Sequence, residues 1–238
     1  MLLLPVNEIE INYKKIDLIN TKLQSIYRLI TFSRKHLADD ILDSFLKSKN
    51  NLQQIMGIRN AQMESTSEEE AEEYLKNMQI TIEFIVEEIR DQRNFESEVQ
   101  LLNLFRLVSP EAHSKHPHKY RTTDVQIGNH LCPDAKSINI LVKELFFNMG
   151  RILNPIVKAI YFHHELIRIH PFIDGNGRTT RIAKNWMLMF NLYPPIFIKD
   201  SSEKEIYIDT LSRSFESLSE QPTLWNYHTY NFFEQEWS

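Results

Sequence analysis

The chain has 238 residues, of which 42% are hydrophobic and 25% are charged, and its formal net charge is −5. This length suits one compact domain or a catalytic domain with a smaller helical addition, and the composition excludes a chain that is disordered as a whole. The slightly acidic balance argues against a nucleic-acid partner, while the single cysteine, Cys132, excludes an internal disulfide framework and a cysteine-based zinc site.

The first residues, Met1–Pro5, lack the basic segment and the apolar length of a signal peptide. No later apolar run approaches the about 20 residues that a membrane-spanning helix needs. We therefore expect a cytoplasmic protein that has no membrane partner.

Scarce glycine and apolar residues at helical spacing predict a mainly α protein. Glycine accounts for only 5 residues, about 2% of the chain against a usual ~7%. Ser67 and Glu70 form a capping box at the start of one helix, Ser137 is a predicted cap of another, and Asn154 followed by Pro155 starts a third. The predicted helices cover about residues 16–56 (as one or two helices), 67–89, 99–108, 138–150, 154–169, 177–190 and 203–218.

The segment 111–136 departs from this helical pattern. Its first part contains proline and is predicted to form a loop. Polar and apolar residues then alternate over Thr122–Ile127, and Gly128-Asn129 is a turn signal, so we predict one short β-hairpin here. At the other end of the chain, the aromatic segment Trp225–Trp237 is predicted to pack on the core.

The most informative segment joins two predicted helices and runs from His170 to Arg181 as His-Pro-Phe-Ile-Asp-Gly-Asn-Gly-Arg-Thr-Thr-Arg. We expect an eight-residue connection, after which the last residues begin the second helix. The free amides and the dipole of a helix start attract anions, and Gly175 and Gly177 let the main chain curl around a phosphate.

Four side chains of this segment add chemistry to the predicted anion site. Arg178 and Arg181 can both grip phosphate oxygens bidentately. Asp174 is the one carboxylate beside them, and a bridging Mg²⁺ would let it lie next to phosphate. His170 can accept a proton near neutral pH. The pattern indicates a magnesium–nucleotide site with a general base.

Other nucleotide and metal motifs do not fit the sequence. There is no Gly-Lys dipeptide for a P-loop, and Thr180 stands where the dinucleotide fingerprint needs a third glycine. His164-Glu165 begins a zinc-protease string, but Arg168 occupies the position of its second histidine. We therefore expect His163 and His164 to be packing or solvent-facing residues rather than metal ligands.

Residues His170–Arg181 resemble the signature of the Fic (Fic/Doc) family, His-Pro-Phe-x-(Asp/Glu)-Gly-Asn-Gly-Arg-x-x-Arg, at every fixed position. In addition, Tyr120–Gly128 resembles the hairpin flap that precedes the family motif, and Tyr193–Ile196 resembles the segment that follows it; the similarity covers about residues 118–232. The resemblance implies a Fic-domain helical bundle with one short β-hairpin flap and an N-terminal helical extension. We expect an N-terminal helical region over 1–92, packed on the core, and a catalytic domain over 93–238.

The resemblance also implies a protein adenylyltransferase, which transfers AMP from Mg-ATP to a Ser, Thr or Tyr hydroxyl of a target protein and releases pyrophosphate. His170 would take the proton of that hydroxyl, and Asp174 would hold Mg²⁺ on the α- and β-phosphates. Asn176 would lie near the α-phosphate, and Arg178 and Arg181 would hold the β- and γ-phosphates. The ATP-binding residues implied within the motif are Asp174, Gly175, Asn176, Gly177, Arg178, Thr179, Thr180 and Arg181.

Further contacts are implied outside the motif. Tyr207 falls where the family has an adenine-contacting aromatic residue. Ile206 replaces the aromatic residue often seen before it, and Ser214 stands where an adenine-contacting asparagine is frequent. The flap residues that would cover the nucleotide are Val125, Gln126, Ile127 and Gly128. Those that would align the target peptide by strand addition are Thr123, Val125 and Ile127.

Many Fic proteins inhibit themselves with a Ser/Thr-x-x-x-Glu-Gly/Asn helix whose glutamate pairs with the second motif arginine, here Arg181. This chain has no Glu-Gly or Glu-Asn dipeptide, and Leu52 and Met56 occupy the Ser and Glu positions of the segment 52–57. Two other pairs match the inhibitory pattern more loosely, Ser65…Glu69 and Ser212…Glu216. A helix start explains the first pair more simply, and a solvated helix face explains the second. We expect weak self-inhibition, or inhibition by a separate partner or by an assembly such as a homodimer.

Two alternatives remain open. The chain could be a Fic-fold enzyme that uses another nucleotide or phosphate donor or removes AMP, or a toxin-like or adaptor module that binds nucleotide without turnover. The complete motif with both arginines favours a triphosphate donor.

Overall fold

The computed structural model describes residues 3–9, 11–33, 67–115, 119–193, 195–196, 198 and 201–220. The chain divides into two compact units, one of Met1–Glu10 with Lys76–Ser238 and one of Ile11–Leu75; the predicted division after residue 92 stays a prediction. The predicted helical stretch after residue 33 and the aromatic segment Trp225–Trp237 lie outside the described residues. Within the described ranges, no helix combines the length and the apolar character that crossing a membrane requires.

Helices dominate the described residues, which confirms the mainly α prediction. The α-helices are α1 (Tyr13–Ser33), α2 (Glu68–Arg90), α3 (Glu98–Val108), α4 (Pro110–Lys115), α5 (Ile138–Arg151), α6 (Pro155–Ile169), α7 (Asn176–Phe190) and α8 (Ser201–Glu220). Two short 3₁₀ helices, Val6–Glu8 and Ala135–Ser137, accompany them.

Local hydrogen bonds explain several of the helix starts. The side chain of Asn154 accepts from the amides of Ile156 and Val157 at 3.0 and 3.1 Å, and so begins α6 as predicted. The predicted cap at Ser137 is wrong, because its side chain makes no capping bond. The chain enters α5 through a 3₁₀ turn instead, and Asp134 caps that turn.

One helix occupies part of the stretch that the sequence predicts as loop. Helix α4 (Pro110–Lys115) begins with a proline, whose fixed φ favours a first helical position. The prediction missed it because six residues are too few to show a helical period.

The core of the larger unit is an aromatic cluster around helices α6 and α7, which pack against each other. The ring of Phe95 lies 5.1 Å from that of Phe162 and 5.4 Å from that of Trp186. Helix α5 packs on α6, and α3 packs on α7. The connection between α6 and α7 is therefore held on a rigid base.

The predicted hairpin is present but shorter than expected. Its strands, β1 (Gln126–Ile127) and β2 (His130–Leu131), pair antiparallel with Gln126 opposite Leu131. Gly128 begins the turn with a φ of +54°, a conformation that glycine adopts without steric cost.

Candidate functional site

The connection between α6 and α7 contains six residues, His170–Gly175, instead of the predicted eight. It is shorter because Asn176 and Gly177 already belong to α7. His170 ends α6 with φ 50° and ψ 61°, a left-handed conformation that residues other than glycine seldom adopt. The conformation turns the chain sharply where α6 ends, so that a loop of six residues is enough to reach the start of α7.

Gly175 precedes α7 with a φ of +76°. A Cβ atom on this residue would lie 2.1 Å from Oγ and 2.8 Å from Cβ of Ser109. Both distances are shorter than any non-bonded contact, so the backbone of the loop passes directly over Ser109. The structure thus requires glycine at 175 for conformation and for space.

The side chain of Asn176 holds the loop together. It is 2% exposed, its Oδ1 accepts from the Phe172 amide at 2.9 Å, and its Nδ2 donates to the Phe172 carbonyl at 2.7 Å. The ring of Phe172 stacks on Phe105 with 3.8 Å between centroids. The polar atoms of Asn176 therefore shape the loop from inside, a role the sequence analysis did not anticipate.

The start of α7 presents its first backbone amides and two arginines. The amide of Thr179 bonds the Gly175 carbonyl at 2.9 Å, so the amides of the three residues before it precede the intrahelical ladder. A Cβ atom on Gly177 would lie 3.0 Å from Nη1 of Arg181, which places the Arg181 guanidinium beside this first turn. The side chains of Thr179 and Thr180 are fully buried, so they face the interior.

Asp174 and Arg178 lie at the open side of the loop. The Asp174 side chain is 71% exposed, and its Oδ2 lies 3.4 Å from Nη2 of Arg178. Its other oxygen accepts from the Gly175 amide. An exposed carboxylate beside the amides of a helix start fits Mg²⁺, which is usually held by one or two carboxylates together with substrate phosphates.

His170 is poised as a neutral imidazole. Burial lowers the pKa of its ring to about 4, and the positive charge of Arg121 acts in the same direction, while the Ile167 carbonyl and Asp174 oppose the shift. Of its two ring nitrogens, Nδ1 is buried. The ring can therefore accept a proton at physiological pH.

A buried arginine that the sequence analysis did not single out links the flap to this loop. Arg121 is 3% exposed, and its guanidinium donates to the carbonyls of His170 at 2.7 Å, Thr123 at 2.6 Å and Pro133 at 2.6 Å. Its position in the Tyr-Arg pair before the hairpin is the only sequence signal that could have indicated this role.

The remaining flap positions lie on the hairpin and its approach. Val125 and Ile127 are half-buried, whereas Thr123, Gln126 and Gly128 are exposed. At the turn, Nδ2 of Asn129 donates to Oε1 of Glu216 on α8 at 3.2 Å. The hairpin thus contacts the helix that carries the predicted adenine contacts.

On α8, Ile206 is 56% exposed. The Tyr207 hydroxyl lies 3.0 Å from Nε2 of His163. Ser214 is fully buried, with its hydroxyl 2.7 Å from Nε2 of His164. The contacts of Ile206, Tyr207 and Ser214 with adenine stay predictions.

His163 and His164, which precede the motif, are fully buried. Of the two expectations for these residues, packing or facing solvent, the structure shows packing. Nδ1 of His164 lies 2.8 Å from Oε1 of Glu165, whose Oε2 pairs with Arg168 at 2.8 Å and accepts from the Leu4 amide. Burial opposes ionisation of Glu165, but Arg168 and His164 lower its pKa to about 2. Although Ser214, His164 and Glu165 form a chain of the serine-hydrolase type, all three are fully buried, so the chain is structural.

Comparisons with known proteins agree with this geometry. The Fic/DOC family model matches residues 95–188. Among curated proteins, the chain is 33% identical over 111 residues to "Protein adenylyltransferase Fic" of Drosophila grimshawi, which is 45% of this chain and 23% of that protein. It is 34% identical over 111 residues to the protein of that name from Nematostella vectensis, 45% of this chain and 26% of that protein. The chain thus spans about a quarter of the length of these relatives.

Solved structures share the fold over most of the chain. A Fic domain containing signaling protein from Bacteroides thetaiotaomicron superposes with a TM-score of 0.69 at 20% identity, covering 94% of this chain and 90% of that one. Fic-1 from C. elegans gives a TM-score of 0.61 at 19% identity, covering 92% and 72%. Residues 95–188 thus match the Fic/DOC family model, and the chain shares the fold of solved Fic-domain structures.

Proposed function

We propose that this chain is a protein adenylyltransferase that transfers AMP from Mg-ATP to a Ser, Thr or Tyr hydroxyl of a target protein. The observation that carries the proposal is a neutral, proton-accepting His170 at the end of α6, six residues before a helix start that carries the backbone amides ahead of Thr179 and two arginines. Relatives named protein adenylyltransferases support the same activity. We further propose that the protein acts in the cytoplasm.

The start of α7 would bind the polyphosphate. Backbone amides ahead of Thr179 offer fixed donors that need no reorganisation as charge develops on the α-phosphate. Arg178 and Arg181 would hold the β- and γ-phosphates and neutralise the pyrophosphate leaving group. Asp174 would hold Mg²⁺, which when bound offsets the charge of the phosphates.

His170 would act as the general base. The target hydroxyl oxygen forms a bond to the α-phosphorus while the bond from phosphorus to the pyrophosphate oxygen breaks. The hydroxyl proton passes to Nε2, the ring nitrogen opposite the buried Nδ1. A base positioned in this way contributes roughly 10²–10⁴-fold to the rate.

The flap and α8 would complete the site. The half-buried Val125 and Ile127 would cover the nucleotide, and the edge of β1 would pair with the target peptide. Ile206 and Tyr207 would lie against the adenine. We also propose that self-inhibition is weak, or depends on a separate partner or a homodimer.

The proposal is tested by intact-mass analysis of the purified protein and a candidate lysate after incubation with Mg-ATP. The expected result is the mass of one AMP on the chain or on a lysate protein, lost when EDTA is added. A different added mass would identify another donor, and loss of AMP from modified proteins would identify the reverse reaction. Mg-ATP binding with no added mass on any protein would contradict the proposal and favour a module without turnover.

The pH dependence of transfer is expected to follow the low pKa of His170. Because burial lowers the pKa to about 4, the base stays neutral, and kcat/KM for ATP stays level as pH falls from 8 to about 5, then declines toward pH 4. A decline centred near the ordinary histidine value of about 6.5 would contradict this assignment.

Folding must be checked over the same pH range. Burial also lowers the pKa of His130, His163 and His164. Between the ordinary histidine pKa and these lowered values the unfolded chain binds more protons, so stability falls as pH falls. Circular dichroism at each pH separates that loss from titration of His170.

Removing Glu216 is expected to change AMP transfer by less than about twofold, as for a single exposed contact. Glu216 is exposed and its observed partner is Asn129 of the flap turn, at 3.2 Å. The measurement compares initial labelling rates of Glu216→Ala, Glu69→Ala and the wild type, with Glu205→Ala as an exposed control on α8. A rise of about tenfold or more, equivalent to ~1.4 kcal/mol, in the Glu216 or Glu69 variant would show a built-in inhibitory glutamate.

A further inference from the structure

The guanidinium of Arg121 is buried without a close carboxylate. Its side chain is 0% exposed, and the carboxylate of Asp124, itself 68% exposed, lies 4.0 Å from Nη1. Backbone carbonyl oxygens satisfy the charge instead, at distances of 2.6–2.7 Å for the three short bonds. A buried cation held by main-chain dipoles is costly to maintain, which indicates a specific task.

The carbonyls that Arg121 contacts belong to three different segments. His170 and Ile169, the latter at 3.4 Å, are the last residues of α6 and its cap, where a helix leaves carbonyls unpaired and favours a cation. Thr123 precedes the hairpin and Pro133 follows it. One planar side chain therefore joins the end of α6 to both ends of the flap.

The bond to His170 acts on the left-handed turn itself. The carbonyl of His170 lies directly after the φ 50°, ψ 61° conformation. The Arg121 Nε donor therefore holds the peptide plane on the C-terminal side of His170, and with it the backbone that carries the ring. The Arg121 amide also donates to the Pro171 carbonyl at 2.9 Å. Main chain and side chain of one residue thus hold the two peptides that follow this bend.

We propose that Arg121 is a positioning residue that sets the orientation of His170 and of the flap as one unit. The inference rests on the proposed function and names a residue through which that same site is assembled. Arginine suits the task because its fork presents donors in fixed directions, whereas a lysine ammonium is one point on a flexible stem. Misplacement of a reacting group by about 1 Å costs on the order of 100-fold in rate.

The test compares Arg121→Lys with Arg168→Lys, the same change at a buried arginine of α6 whose partner is Glu165. Each folded variant is assayed for ATP binding by calorimetry and for AMP transfer in a single turnover. For Arg121→Lys we expect an ATP Kd within about threefold of wild type and a transfer rate reduced by about 100-fold. Arg168→Lys is expected to keep both values.

A second readout does not depend on activity. Arg121→Met removes a positive charge that lowers the pKa of His170, so NMR titration should show that pKa rising toward the ordinary histidine value, whereas Arg121→Lys should leave it low. The titration also reports the other charges around the ring, those of His130 and Asp174. Amide exchange at Cys132, which donates to the Val125 carbonyl at 3.1 Å, should become faster in both variants.

Unchanged transfer in a folded Arg121→Lys protein, or a loss of transfer matched by the loss of ATP binding, would overturn the positioning role. Should Arg121→Met fail to fold, the single-turnover transfer rate and the Cys132 amide exchange of Arg121→Lys decide whether Arg121 has the positioning role. A wild-type protein without any transfer contradicts the proposed function instead, and Cys132 exchange together with the His170 titration then still decides the role of Arg121.

Discussion

Replacing His170 with alanine is expected to abolish AMP transfer while ATP still binds. The ring has no place among the phosphate contacts proposed at the start of α7, so its removal should change the ATP Kd by less than about threefold, a difference below ~1 kcal/mol. Loss of the base alone is expected to lower the single-turnover rate by at least roughly 10²–10⁴-fold. The measurement uses ATP labelled on the α-phosphate and calorimetry on the same preparation.

His113→Ala provides a matched control for this variant. His113 lies on the short helix α4 and is exposed, so its loss should leave labelling and ATP binding unchanged. Equal labelling by the wild type and His170→Ala would remove His170 from the reaction. Loss of ATP binding in His170→Ala would instead assign the ring to nucleotide binding.

Gly175→Ala is expected to destabilise the fold by about 2–5 kcal/mol and to impair ATP binding. A left-handed conformation costs an alanine roughly 1–2 kcal/mol, and forcing a methyl group into a packed site costs typically ~1–3 kcal/mol. Here the new Cβ would meet Ser109 at 2.1 and 2.8 Å. Relief of that contact must move the loop that precedes α7, so phosphate binding should weaken with stability. Chemical denaturation and calorimetry measure the two effects.

A second substitution separates the steric cost at Gly175 from the cost of its left-handed backbone conformation. In Gly175→Ala with Ser109→Gly, the nearest remaining atom is Cε2 of Phe105 at 3.5 Å, an ordinary contact. The double variant should therefore regain the stability lost to the steric contact but not the stability lost to the left-handed conformation. Comparing its free energy of unfolding with that of each single variant measures the coupling between the two positions. Gly150→Ala on α5, whose new methyl group would meet nothing within 4 Å, is the control and is expected to stabilise the fold by up to about 1 kcal/mol. Additive effects of the two changes would show that Ser109 does not constrain Gly175.

Helix positions and the motif were predictable because their signals are local. The start of α6 follows from the Asn154-Pro155 cap, and the prediction of an anion-binding turn rests on the consecutive residues His170–Arg181. Apolar spacing alone does not identify the buried face of α3, because Val99 shares that spacing yet is 67% exposed, whereas Leu101 and Leu104 are fully buried. Periodicity identifies a helix, but the neighbours of that helix determine which residues it buries.

Residue types within about twelve consecutive positions were enough to indicate a mainly α chain with a phosphate-binding turn and a proton acceptor, because helix caps, glycine turns and free amides act between near neighbours. Longer-range contacts settled the rest. Arg121 reaches the His170 carbonyl across 49 positions, and the Leu4 amide reaches Glu165 across 161. Burial in those contacts lowers the pKa of His170 and makes His164 and Glu165 structural. Such environments arise only when distant segments exclude water together, so no local pattern encodes them.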